Sequence, residues 1–165
     1  MKKIILIIAL IATAPLISFV RISATPDTGT IAANCRSVQS ILSQLSKVDV
    51  GTRLNRAADY DRLLSLMFNM NARLSSNRIA APELHSITAE FEEKVAEFRQ
   101  NYDRYDNALK DSINIRCVEN PREFYNLLER ARRARKILHG NVIELERLAD
   151  YYMSTLLDMI DERGI

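Results

Sequence analysis

The chain has 165 residues, of which 47% are apolar and 27% charged, with only four glycines and four prolines. That balance excludes a disordered polymer. The shortage of turn residues argues against a sheet protein, and the length supports one core rather than two. The formal net charge of +2 comes from the N-terminus: leaving out Lys2, Lys3 and Arg21 leaves 20 basic against 21 acidic residues, or −1. A near-neutral remainder excludes a dedicated nucleic-acid binder.

Lys2-Lys3 precedes an uncharged run of 17 residues, Ile4 to Val20, and then Arg21-Ile22-Ser23-Ala24. A basic start, an apolar stretch and a small-residue site read as a secretory signal, with cleavage after Ala24. Ala12-Thr13-Ala14 is a second such site, but Pro15 follows the cut and blocks it. The run is also long enough to be read as an uncleaved membrane anchor. Either way residues 25–165 are expected outside the cytoplasm, secreted, periplasmic or at the cell surface, because the lysines stay inside. Residues 25–30 read as a linker.

The first predicted helix spans about 31–76. Val38, Ile41, Leu42, Leu45 and Val48 share a face, which Leu54, Ala57, Tyr60, Leu64, Met67, Met70 and Leu74 continue. The phase slips near Asp49-Val50-Gly51, and a helix-interior glycine costs about 1 kcal/mol, so a kink or short break is expected near residue 51. The second helix spans about 82–114. Pro82 suits a first helical position and Glu83 the positive end of the dipole. Its stripe, Leu84, Ile87, Phe91, Val95, Phe98, Tyr102, Tyr105, Leu109 and Ile113, recurs about every 3.6 residues.

The third helix spans about 120–163 and opens on Asn120-Pro121-Arg122-Glu123, a cap residue, an initial proline and a capping-box glutamate. Its stripe from Phe124 through Leu128, Ala131, Arg135, Leu138, Val142, Leu145, Ala149, Tyr152 and Leu156 to Met159 alternates steps of four and three, a coiled-coil seam with Arg135 as its one misfit. That register carries the helix through His139-Gly140-Asn141, and Gly164 is a C-terminal stop. The expected fold class is all-α: an elongated antiparallel three-helix bundle or coiled coil behind an N-terminal signal or anchor helix. Its shape is similar to a spectrin-like three-helix coiled coil, a likeness of architecture that carries no function.

Cys35 and Cys117 are the only cysteines. After an export segment they read as a structural disulfide, both lying at one end of the bundle. No Cys-x-x-Cys points to a redox role. His85 and His139 have no partner at metal-ligand spacing, and no phosphate loop or nucleophile motif occurs. The glutamates Glu90, Glu92, Glu93 and Glu97 read as a solvated face. No catalytic residue, metal, cofactor or small-molecule substrate is therefore expected.

Two partner-binding features remain. Arg130, Arg132, Arg133 and Lys136 crowd one stretch of the third helix, suiting an anionic envelope polymer or the lipid head groups of a membrane surface. The alternative is pairing within the bundle, with Asp103, Asp106 and Asp111 near the same level. Tyr152, Met153, Leu156, Leu157, Met159 and Ile160 make the C-terminal turns apolar on more than one face. They read either as covered by Ile79, Ala80 and Ala81 or as a docking surface for a protein partner or second copy. The function expected is that of an exported, non-enzymatic helical interaction module. Binding of anionic polymers is the alternative.

Overall fold

The computed structural model describes residues 27–163, apart from the side chain of Arg163. The expected export segment up to Ala24 and the expected stop at Gly164 lie outside the described residues. Within them the chain is all-helical: α1 (Thr28–Ser76), α2 (Pro82–Asn114) and α3 (Pro121–Arg163), packed against each other. Contacting pairs run in opposite senses on successive helices, Asp61 with Arg99 and Asn71 with Thr88, then Glu97 with Asn141 and Glu83 with Tyr151. Neighbours in sequence are therefore antiparallel, and α1 and α3 run the same way.

Both proline starts fall where the sequence places them. The start of α1 does not. It begins at Thr28, inside the expected linker, because the Asp27 carboxylate accepts from the Gly29 N–H at 3.1 Å and supplies a cap. The break expected near Gly51 is absent, and α1 is helical throughout. The phase slip has another cause: Asp49 takes an inward position and accepts the Tyr105 hydroxyl. α3 likewise continues through Gly140.

α1 ends in a turn that lacked any glycine signal. Arg78 sits at φ 59°, in the left-handed region. Its N–H reaches the Ser75 carbonyl at 3.0 Å, and the Ile79 N–H reaches the Leu74 carbonyl at 2.9 Å. That is a Schellman ending with arginine where glycine is usual.

The core falls into two clusters. One joins Tyr60, Met67, Phe91, Phe98, Leu145 and Tyr152 with neighbours near the α1–α2 loop. Inside it the Asn71 amide donates to Thr88 Oγ1 at 2.8 Å, and the Tyr152 hydroxyl donates to Asn71 Oδ1 at 3.0 Å. These buried polar groups satisfy one another, which holds the three helices in one register. The other cluster surrounds Cys35, Leu42, Tyr105, Leu109, Cys117 and Phe124.

The expected disulfide is there, with a Cα–Cα distance of 5.8 Å and 82 residues between its ends. Closing so long a loop contributes on the order of 4 kcal/mol on the chain-entropy model. Beside it the Gln39 amide lies 3.1, 2.9 and 2.7 Å from the carbonyls of Ser112, Ile113 and Ile115. Its two hydrogens thus serve carbonyls that the end of α2 leaves without helical partners.

Arg78→Gly should remove the left-handed strain at the α1 terminus, raising stability by about 1 kcal/mol. Chemical denaturation of the two proteins side by side measures it. An unchanged or lower midpoint would mean that Arg78 is not strained.

A candidate functional site between the first and third helices

The stripe predicted on α1 is wider than the surface available to bury it. Leu42 is buried and Val38 and Leu45 are half-buried, yet Ile41 and Val48 are 62% and 66% exposed. Residues three and four apart form one stripe, so Ile41, Leu45 and Val48 line the edge of α1 next to Val38 and Leu42. That edge borders a groove between α1 and α3, floored by Tyr105 and Leu109 of α2.

The groove contains two hollows. One, of about 180 Å³, lies between Leu42, Leu45, Leu128 and Arg132. The other, of about 140 Å³, lies at the waist between the core clusters, where Arg53, Arg56, Arg135 and His139 surround Phe98 and Tyr102. Arg135 borders both hollows. The helix seam places a charge at an inward register there. The guanidinium escapes burial by lying in the groove, exposed, so α1 and α3 do not close over it.

The waist is strongly polar at its rim and aromatic at its base. Arg53 sits 4.6 Å from the centre of the Tyr102 ring and pairs with Asp103 at 3.1 Å. Arg56 crosses the groove to Glu146 at 3.6 Å. Phe98, Tyr102 and Tyr105 follow one another along α2 with ring centres 6.5 and 6.0 Å apart. Burial raises the Tyr105 phenol well above its ordinary value, helped by the Asp49 carboxylate that accepts its hydrogen bond. Burial also raises Tyr102, with the charges of Asp106 and Asp49 adding to it, and raises Tyr152.

The basic residues of α3 stay in solvent. Arg130, Arg132, Arg133 and Lys136 are all exposed. The pairing with α2 that offered an alternative does not form: Asp103 is held by Arg53, Asp106 pairs with Lys110 at 2.7 Å, and Arg132 pairs with Glu129 on its own helix. The C-terminal docking face is divided. Tyr152 and Leu156 are core residues, 3% and 7% exposed, so they present nothing to a partner. Met159 and Ile160 pack, as Ile79 does, against the cluster that contains Ala81. Met153 and Leu157 alone of the six project outward, 50% and 55% exposed. The apolar turns of α3 thus serve two faces, because the seam residues point inward and the intervening ones do not.

Sequence reading missed the groove. Its only traces were the surplus width of the α1 stripe and the misfit of Arg135. Among the described residues no group of three His, Cys, Asp or Glu side chains could hold a metal ion, and no helix is long and apolar enough to cross a membrane.

The raised phenols carry a pH dependence. In the unfolded chain tyrosine ionises near pH 10, while folded Tyr102, Tyr105 and Tyr152 keep their protons. Their contribution is complete below pH 10 and is lost as pH rises through the folded values. Tyr105→Phe should lessen the alkaline fall in stability, read as denaturation midpoints between pH 8 and about 11. Parallel curves for the two proteins would refute this. No family model, no curated protein and no solved structure matches the chain.

Proposed function

We propose that this protein is a non-enzymatic helical interaction module that works outside the cytoplasm and binds by helix–helix association. The observation that carries the reading is the uncovered groove between α1 and α3. It has an apolar floor, and helical spacing puts the exposed Ile41 and Val48 next to it on α1. Leaving a side chain of that size in water forgoes roughly 1.5–3 kcal/mol, which a partner helix recovers by covering it. The C-terminal contribution narrows to Met153 and Leu157. The export reading rests on the Lys2-to-Ala24 pattern, and the buried disulfide is consistent with an oxidising compartment. Whether the apolar run is cleaved or kept as an anchor, the helical domain acts on the same side of the membrane. The coiled-coil seam of α3 makes the bundle a rod that presents the groove along its length.

A photoreactive amino acid placed at position 41 or 48 should capture a partner in intact cells. The same residue at position 93, exposed on α2, should capture none. Equal capture at all three positions, or none at any, would end this reading.

One observation favours the second reading, a binder of anionic envelope polymers or lipid head groups. The four cations Arg130, Arg132, Arg133 and Lys136 are exposed, and none pairs with the aspartates of α2. Binding to anionic vesicles should then weaken steeply with salt, because exposed charges are screened within about 10 Å at 0.1 M. Replacing Arg132 and Arg133 with Ala should weaken binding further. Full vesicle binding by that double variant would remove the second reading.

A further inference from the structure

We propose that the hollow at the waist is a binding site for a small aromatic carboxylate, with its ring between α1 and α3 and its carboxylate on the arginines at the rim. The proposal goes beyond the interaction-module reading and needs no partner protein.

All three helices build the hollow. α1 contributes Asp49, Arg53 and Arg56, and α3 contributes Arg135, His139 and Val142. Within each set the steps are four and then three residues, so each helix turns one face towards the space. α2 supplies the base. Phe98 and Tyr102 are 2% and 4% exposed, so their rings are held by packing and cannot swing up to fill the hollow. Its bottom is therefore preformed and aromatic. At about 140 Å³ the space has the size of one ring, since an apolar cavity of about 150 Å³ accepts benzene.

Charge at the rim selects the ligand. Three guanidiniums line the hollow against one carboxylate, Asp49, which already accepts the Tyr105 hydroxyl. Arg53 and Arg56 have acidic partners in Asp103 and Glu146, whose side chains are 59% and 63% exposed. Pairs so exposed are weak, and each engages only part of a guanidinium that carries five N–H donors. Arg135 has no ion-pair partner among the described residues. Its charge acts on the Tyr105 phenol, so it lies over the groove.

The bundle thus sets a cation at an inward seam position, beside a ring-sized hollow, and supplies no counter-ion for it. A carboxylate supplies one, because its two oxygens match the guanidinium fork. A ring attached to it covers the apolar walls at Leu138 and Val142. A bare inorganic anion leaves those walls wet, and a neutral ring leaves Arg135 without a counter-charge.

Titration of the full chain, disulfide formed, with 3-phenylpropionate tests the site, followed by NMR of ligand and protein. Saturable binding is expected, with shifts confined to residues around the hollow. Neutral 3-phenylpropanamide and inorganic phosphate should each bind at least about tenfold more weakly, the first lacking the charge and the second the ring. Arg135→Gln should weaken 3-phenylpropionate about tenfold. Val142→Phe fills the hollow while keeping every charge, and should weaken it as much. Arg122→Gln removes an exposed cation of α3 that does not line the hollow, and should leave binding unchanged. Circular dichroism checks that the variants stay folded, and the comparison of the three probes on the unaltered protein decides the matter should one unfold. No saturation by 3-phenylpropionate, equal binding of the amide or of phosphate, or equal weakening by Arg122→Gln would overturn the proposal.

Discussion

The burial of one face of α2 between its two neighbours is the constraint on which this molecule depends. α2 hides eleven of its 33 residues, whereas α1, with 49 residues, hides six. Its stripe keeps the helical period without interruption, so a continuous ridge of Leu84, Phe91, Phe98, Tyr105 and Leu109 is available to both partners. Three helices allow three pairings. Two are made on α2. The third, α1 against α3, closes in a dry core near the α1–α2 loop, but at the waist it is left to side chains that include Asp49, Arg53 and Arg135, which cannot be packed away dry. The groove is the direct consequence.

Because α1 gains little from α3 directly, its position is held by specific links near its ends. At one end the disulfide and the Gln39 amide join it to the last turn of α2. At the other, Asn71 bonds to Thr88 of α2 and to Tyr152 of α3 in a dry core. An apolar contact slides with small cost, but a buried amide must meet its partners or lose several hydrogen bonds at once. Between these points α1 is held by the ion pairs Arg53–Asp103 and Asp61–Arg99 and by the hydrogen bond from Tyr105 to Asp49. Pairs this exposed stabilise weakly, so they set direction more than strength.

The three helices, the proline starts at Pro82 and Pro121, and the Cys35–Cys117 bond were legible because each rests on local chemistry or on there being two cysteines with one pairing open to them. Proline lacks an N–H, which is harmless only in a first turn. Elsewhere local rules misled. Gly51 suggested a break because glycine is a poor helix former, yet the helix continues. Arg78 takes a left-handed turn with no glycine to announce it, because the Ile79–Leu74 hydrogen bond and the packing of Ile79 hold the loop there.

By itself the sequence determined what each helix offers: the period of its apolar face, where it can start, and which charges it carries. These are properties of a single helix, set by 3.6 residues per turn and by the chemistry of caps. Only the tertiary structure decided which offered faces are used. Tyr152 and Leu156 went into the core and Met153 and Leu157 did not, although all four looked alike in a run of apolar turns. Ile41 and Val48 belonged to a core stripe by spacing but lie beyond the reach of α3. Asp103 and Asp106 of α2 turned to Arg53 and Lys110, leaving the cations of α3 in water. Such choices depend on where neighbouring helix axes lie. That is a property of the whole packed bundle, and no single helix contains it.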